Sequence, residues 1–214
     1  MMRIEGRFDR RRWLEGAAAV GLGLAAGPAL GLAKTPRQTT GPFYPYDHAL
    51  ETDADLVQVG GRSTLAKGVI AHLGGVVKDH RGRAVPGAVV EIWQCDANGR
   101  YHHPRDRRDA PLDENFQGYG RSRTGADGGY RFRTIQPVSY PGRAPHIHFT
   151  IRGPGFEPLV TQMYVRGAPE NARDWILNRI RDPVRRASIV VPFEPHPDLP
   201  AQRVARFDIV LGYR

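Results

Sequence analysis

Several features are scarce in this sequence, and each scarcity excludes a class of protein. The 214 residues include a single cysteine, Cys95, which excludes an intramolecular disulfide scaffold. The sequence has no phosphate-binding loop, no glycine fingerprint of a dinucleotide fold and no Cys-x-x-Cys pair. Acidic residues are outnumbered, with 22 Asp and Glu against 31 Lys and Arg, giving a formal charge of +9. Because these basic residues are scattered along the chain, we expect no nucleic-acid partner.

A long apolar run is also missing. The most apolar stretch, residues 16–33, is rich in Gly and Ala and contains Pro28, whereas a membrane span needs about 20 strongly apolar residues. Consecutive arginines at 10–12, followed by Trp13 and Leu14, precede this stretch and resemble a twin-arginine (Tat) export signal. We therefore predict a Tat-type signal peptide over residues 1–33, a periplasmic or secreted location and no stable membrane span.

The composition favours one globular domain with many turns. Hydrophobic residues make up 40% of the chain, and 25 Gly and 18 Pro are spread without a repeat. Residues 34–68 are irregular and predict an extended N-terminal arm, and residues 69–214 predict the main domain. Apolar, β-branched runs separated by turn residues predict strands at 69–77, 88–95, 130–135, 145–151, 159–165, 187–191 and 203–211.

These elements predict an all-β fold: a mostly antiparallel β-sandwich with long loops, the extended arm and one short helix. The helix is expected over residues 170–181, where Trp175, Ile176 and Ile180 are spaced to share one face.

The chemistry concentrates around a His-x-His motif, His146 and His148. In a strand, residues two apart point to the same face, so both imidazoles are presented to one side. That arrangement can chelate a metal ion, and it is equally typical of two polar residues on a solvated face. Two tyrosines favour the metal interpretation: Tyr140 lies just ahead on a proline-rich turn, and Tyr101 follows the turn at Asn98 and Gly99.

Several motifs in one order resemble the intradiol ring-cleavage dioxygenases, most closely their protocatechuate 3,4-dioxygenase branch. The similarity extends over nearly all of the chain after residue 35. Its most specific segments are QTTGPFYP at 38–45, GAVVEIWQ at 87–94 leading to Tyr101, FQGYGRS at 116–122, YRFRTI at 130–135, YPGRAPHIH at 140–148 and TQMY at 161–164.

The resemblance implies a function and a set of site residues. The family fold is a β-sandwich, and its cofactor is a mononuclear non-haem Fe³⁺, for which Tyr101, Tyr140, His146 and His148 would be the protein ligands. The substrates would be a catechol-type molecule and O₂, and cleavage between the two hydroxyl-bearing carbons would give a cis,cis-muconate-type diacid. Tyr140 would be the ligand that leaves when the catechol binds. The resemblance assigns catalytic roles to Arg143, which would stabilise charge on the ring, and to Gln162 beside it.

The sequence departs from the family pattern in one place. Only five residues separate Tyr140 from His146, whereas better-known members carry a longer insertion that often holds an aromatic residue of the substrate pocket. We expect a more open pocket, so the identity of the catechol does not follow from the resemblance. The catechol branch usually carries an N-terminal helical dimerisation domain, for which we expect too few residues in this sequence. A homo-oligomer formed in another way is an open alternative.

Two other functional classes remain. Segments such as Val76 to Gly82 and Asp127 to Tyr130 also look like the transthyretin-like modules of secreted binding proteins. Such a module would not need the four candidate metal ligands. A zinc hydrolase would use the two histidines, with an open water site and a carboxylate base nearby. Of the remaining candidates, Cys95 is expected to be a buried, unreactive thiol.

Overall fold

A computed structural model describes residues 31–45 and 52–213 of the chain, and its regular structure is mostly β. The strands are β1 (Ile70–Asp79), β2 (Val89–Trp93), β3 (Tyr119–Arg123), β4 (Gly129–Ile135), β5 (His146–Arg152), β6 (Leu159–Val165), β7 (Val190–Val191), β8 (Glu194–Pro195), β9 (Arg203–Arg206) and β10 (Ile209–Leu211). Two short α-helices, α1 (Trp175–Asn178) and α2 (Pro183–Ala187), follow a 3₁₀ turn at Pro169–Ala172. The predicted signal peptide lies outside the described residues except for 31–33.

The strands form two five-stranded sheets that share one core. One sheet has the order β3-β2-β5-β6-β7; in the other, β1 pairs with β4, β9 and β10, and β8 pairs with β9. Five of the eight pairings between the described strands are antiparallel and three are parallel. Buried side chains from both sheets, such as Leu73 and Phe132 from one and Ile92 and Phe149 from the other, meet in a single hydrophobic cluster. The predicted all-β fold is confirmed.

The sequence pattern did not predict two of the strands. The first, β3, has the sequence YGRSR, which carries no apolar alternation. It forms because its backbone pairs with β2, with Tyr119 opposite Trp93. The second, β8, contains only two residues, both exposed. Neither strand has the alternation of apolar and polar residues that periodicity detects.

The predicted strand over 203–211 is two strands, β9 and β10. Both run parallel to β1, and the chain between them crosses close over Gly75. A side chain at Gly75 would place its Cβ 2.0 Å from the carbonyl oxygen of Phe207. That carbonyl accepts a 2.6 Å hydrogen bond from the Tyr130 hydroxyl. Glycine is therefore required at residue 75 by the close approach of another backbone.

The short helix predicted over 170–181 is present as α1, which is shorter than predicted. The Asp174 backbone is extended, and its carboxylate caps α1 by accepting from the amides of Ile176 and Leu177. Trp175 is 54% exposed, so Leu177 rather than Trp175 joins Ile176 in burial. A second helix, α2, spans Pro183–Ala187 and was not predicted. The strand predicted over 187–191 is limited to β7, Val190–Val191.

Residues 34–41 of the N-terminal arm are extended and lie against both sheets. The Thr35 amide donates to the Val210 carbonyl, and the Gln38 amide donates to the Val160 carbonyl. Further along, Leu56 and Val57 are fully buried in the core. Among the residues described, no helix has both the length and the apolar character needed to cross a membrane.

A buried carboxylate on β2 anchors the arm. Glu91, whose side chain is 2% exposed, accepts from Arg121 at 3.3 Å, from Arg152 at 2.5 Å and from the Tyr44 hydroxyl at 3.2 Å. Burial by itself would raise the pKa of Glu91, but the two guanidinium groups outweigh it, and the pKa lies below its usual value.

We expect Glu91→Gln to destabilise the fold by about 1–3 kcal/mol near neutral pH, because the two arginines lose their buried anion. Since the folded-state pKa of Glu91 is depressed, its stabilisation is present above the unfolded pKa of about 4.3 and is lost as the pH falls through the folded value. Urea unfolding at about pH 7 and about pH 3 should therefore show a smaller loss of stability on acidification for the variant than for the wild type. The control is Glu114→Gln, which removes an exposed pair with Arg62; equal acid sensitivity of Glu91→Gln and wild type would contradict the prediction.

Candidate metal and active site

Two buried imidazoles on β5 form the rigid half of the candidate site. His146 and His148 are 1% and 2% exposed, and their Nε2 atoms lie 3.2 Å apart. Ile147 and Phe149 point to the opposite face, into the core. The strand lies between β2 and β6 in the middle of its sheet, with His148 opposite Trp93 on one side and Gln162 on the other. The alternation of β5 therefore aims both histidines at one point, as the sequence predicts.

Contacts within the sheet determine the protonation and the orientation of each imidazole ring. Nδ1 of His146 faces the Ala144 carbonyl oxygen at 2.6 Å, so that nitrogen carries the proton and Nε2 keeps its lone pair. His148 lies flat on the Trp93 indole, with ring centroids 4.8 Å apart and planes at 10°. Burial, reinforced by the Arg143 cation, lowers the pKa of His146 to about 3 and holds the pKa of His148 well below its ordinary value. Both imidazoles are neutral near pH 7.

Two tyrosines from loops complete the cluster. Tyr101 is 3% exposed, and its ring centroid lies 5.9 Å from that of Tyr140 and 6.3 Å from that of His148. Tyr140 is half-buried and lies 5.6 Å from the His146 ring. In the described part of the chain, the buried Tyr101 hydroxyl has no hydrogen-bond partner at ordinary distance and angle, and it interacts only weakly with the Tyr140 hydroxyl. A buried hydroxyl without a partner is costly, and it marks a position where a further group would bind.

This donor set fits a hard metal ion. Nitrogen ligands at about 2.0–2.1 Å from one ion and roughly at right angles would lie about 3 Å apart, close to the observed separation of the two Nε2 atoms. Burial raises the pKa of both Tyr101 and Tyr140, so only a nearby cation would make these phenols ionise. Hard phenolate oxygen suits a trivalent ion better than it suits zinc.

The described residues contain no group of three or more His, Cys, Asp or Glu placed to hold a metal ion. Among these residues there is therefore no additional carboxylate or histidine of the kind that a zinc hydrolase would use.

Arg143 and Gln162 lie together beside the histidines. The Arg143 guanidinium donates through Nε to Asp174 at 2.9 Å, and through one terminal nitrogen to Gln162 and, at 3.3 Å, to the Tyr164 hydroxyl. The Gln162 amide nitrogen donates in turn to the Thr39 carbonyl at 3.0 Å. The structure therefore brings the two predicted catalytic residues into direct contact, and it ties them to the N-terminal arm.

Asp174 is the most important residue that sequence reasoning missed. Its side chain is fully buried and accepts hydrogen bonds from Arg143, from the Ala144 amide and from the first amides of α1. Burial of the carboxylate opposes ionisation, but these donors outweigh it and lower the pKa of Asp174. An Asp before an apolar helix predicts an N-cap. Its bond to an arginine 31 residues earlier has no sequence signal.

Phe43, Trp93 and Gly41 also adjoin the site without having been assigned to it. Phe43 stacks on Tyr101 with centroids 4.8 Å apart. A Cβ at Gly41, where φ is +68°, would meet His148 Cε1 at 3.3 Å. The arm therefore passes directly over the histidine, and only a residue without a side chain fits there in that conformation.

Cys95 and the two histidines that follow Tyr101 in the sequence have contacts that explain them without a catalytic role. Cys95 is buried, and desolvation raises the pKa of its thiol to about 12, as expected for an unreactive cysteine. His102 is hydrogen-bonded to the Asp113 carbonyl at 2.8 Å, and the His103 ring lies against Phe43.

Comparisons with known proteins identify the family. Residues 39–212 match the family model described as Dioxygenase. The chain is 38% identical over 172 residues to the protocatechuate 3,4-dioxygenase beta chain of Burkholderia cepacia, which covers 71% of this chain and 73% of that protein. It is 34% identical over 196 residues to a hydroxyquinol 1,2-dioxygenase of Corynebacterium glutamicum, covering 80% of this chain and 62% of that protein.

A solved structure shows the same relationship. The dioxygenase domain of a dioxygenase and carbohydrate-binding protein fusion from Streptomyces sp. SirexAA-E superimposes with a TM-score of 0.66 at 30% identity, covering 85% of this chain and all of that domain. The binding-module alternative gains no support from these relatives, all of which are named as dioxygenases. The chain belongs to the intradiol ring-cleavage dioxygenase family, close to its protocatechuate branch.

Proposed function

We propose that this protein cleaves a catechol-type ring between its two hydroxyl-bearing carbons at a mononuclear ferric ion held by Tyr101, Tyr140, His146 and His148. The observation that carries the proposal is the convergence of two neutral imidazoles and two phenols in one cluster, in which Tyr101 is 3% exposed. When bound, the ferric ion would draw electron density from the catecholate and make the ring reactive toward O₂.

The charges of the side chains suit that role. Two phenolates would offset two of the three positive charges of the ion, and the neutral imidazoles add none. A catechol must lose two protons to bind as a dianion; the Tyr140 Oη would hold one of them, and solvent would take the other. Tyr140 suits this step better than Tyr101 because it is half-buried, whereas Tyr101 is almost fully enclosed.

Arg143 and Gln162 would act on the ring itself. A guanidinium keeps its proton at any working pH, so Arg143 supplies a fixed positive charge beside the site where negative charge develops. Asp174 and Gln162 hold that guanidinium from two sides. Phe43 and Trp93 cover the cluster with apolar surface and exclude water, which strengthens the electrostatic effect.

For the substrate, we propose a protocatechuate-like catechol that carries an anionic substituent. The formal charge of +9 favours attraction of an anion. The exposed Arg105 lies in the loop that follows Tyr101. The hydroxyquinol relative provides the competing candidate. We also propose that residues 1–33 direct export through the Tat route.

The experiment that tests the function is reconstitution with ferric iron under air. Tyrosinate bound to Fe³⁺ absorbs visible light, so we expect a reddish protein that consumes O₂ with a panel of protocatechuate, catechol and hydroxyquinol and releases a ring-opened diacid. Product identification by mass spectrometry distinguishes intradiol cleavage from simple oxidation to a quinone. A protein that stays colourless with iron and consumes no O₂ would overturn the proposal.

A further inference from the structure

The two halves of the candidate metal site are supported differently. His146 and His148 belong to a central strand, whereas Tyr101 lies in a loop and Tyr140 makes only an isolated bridge to Arg143. A strand with partners on both sides holds its side chains rigidly, but a loop needs added contacts to do so. The contacts that hold the tyrosines therefore decide how they behave as ligands.

Arg108 provides such a contact. Its guanidinium carbon lies 4.4 Å from the centroid of the Tyr140 ring and 5.9 Å from that of Tyr101. These distances are within the range of a cation–π interaction. The same guanidinium lies 5.5 Å from the Phe43 ring. One cation thus faces three aromatic rings at the site.

Asp106 fixes this guanidinium in place. The carboxylate, 1% exposed, accepts from Nε of Arg108 at 2.8 Å and from one of its terminal nitrogens. It also accepts from the backbone amide of Tyr101 at 2.7 Å. The remaining guanidinium nitrogen is buried and has no hydrogen-bond partner in the described residues. A guanidinium keeps its proton at any working pH, so this positive charge is fixed beside the rings.

We propose that Arg108 is a positioning residue for the tyrosine ligands: together with Asp106 it links the two loops, and its positive charge over the Tyr140 ring weakens the donation of electrons from that phenolate. The inference rests on the proposed function and adds to it. A cation near a phenolate stabilises the electrons of the phenolate. Tyr140 is then a weaker donor than Tyr101, from which the cation is more distant. An incoming catechol would displace the weaker donor more readily.

The test reads the visible absorption band of the iron-loaded protein, since moving an electron from phenolate to iron costs more energy when a cation lies beside the phenolate. We expect Arg108→Gln, which keeps a planar side chain and removes the charge, to shift the band to longer wavelength. Asp106→Asn, which removes the compensating anion and keeps an acceptor for the Tyr101 amide, should shift it to shorter wavelength. Arg108→Lys should restore most of the wild-type position. The matched control is Arg107→Gln, which removes an exposed charge from the same loop.

The opposite signs distinguish charge from mere loosening of the loop, because loosening would move both variants the same way. Shifts of one sign in Arg108→Gln and Asp106→Asn, or a band in Arg108→Gln at the position seen in Arg107→Gln, would overturn the inference. If Arg108→Gln does not fold, the Asp106→Asn band decides: a shift to shorter wavelength supports the inference, and no shift or a shift to longer wavelength overturns it. The absence of any band in wild type would instead overturn the proposed function, so the two failures are distinguishable.

Discussion

His148→Ala is expected to lose its bound iron and its visible colour and to have no measurable ring-cleavage activity. The substitution removes one of two Nε2 atoms that converge within 3.2 Å on the buried face of β5. Neither tyrosine can replace it, because both approach from loops on other segments of the chain. Metal analysis of the purified protein should show iron falling from stoichiometric to near zero.

Folding must be controlled in that experiment, because the alanine also removes the surface on which Trp93 stacks. The shared hydrophobic core does not include His148, so we expect the far-ultraviolet circular dichroism to stay that of the wild type. His148→Asn preserves more volume and should lose iron as well. His80→Ala, which removes a histidine in edge-to-face contact with Tyr213, should keep iron and colour. Full iron content in both His148 variants would show that the ligand assignment is wrong.

Arg143→Ala is expected to keep iron and lower kcat by about 10²–10³-fold, the usual cost of removing one fixed group that stabilises charge in a transition state. The guanidinium is held beside the histidines by Asp174, Gln162 and Tyr164. Because the effect is exerted on the reacting ring, the loss should fall on kcat more than on KM. Steady-state kinetics, combined with the absorption spectrum and iron content, measure each of these quantities.

Truncating Arg143 also leaves the buried Asp174 carboxylate without its ion pair, which is destabilising by about 3–5 kcal/mol when such a pair is fully buried. Arg143→Lys separates the two effects, since it keeps a cation but loses the planar fork that reaches Asp174 and Gln162 together. Its kcat should lie between those of wild type and Arg143→Ala. Arg131→Ala, an exposed arginine on β4, serves as the control. An unchanged kcat in Arg143→Ala would refute the electrostatic role.

Sequence interpretation succeeded where an element depends on neighbouring residues and failed where it depends on contacts with distant parts of the chain. Strands such as β5 and β6 were predicted well because both are rich in apolar or β-branched residues and are almost entirely buried. The edge strand β3 was missed because a neighbouring backbone, not its own side chains, determines that it is extended. The helix predicted over 170–181 is present but covers only α1, because the Asp174 backbone is extended and its carboxylate caps a shorter helix.

The candidate site shows the same division. The motif His146-Ile147-His148 by itself places two imidazoles on one face, since the period of a strand is a local property of the backbone. Motif resemblance added Tyr101, Tyr140, Arg143 and Gln162, and the structure places all of them around those imidazoles.

By itself, the sequence determined the β character of the chain, the shared face of the two histidines and the family. Only the tertiary structure decided that Asp174 holds Arg143, that Arg108 lies over Tyr140 and that the arm crosses His148. The physical reason is that strand periodicity and turn chemistry act between neighbours in the chain. Contacts across 31 or 32 residues, or more than 100, depend instead on the register in which the strands pair and on the loops that this register brings together.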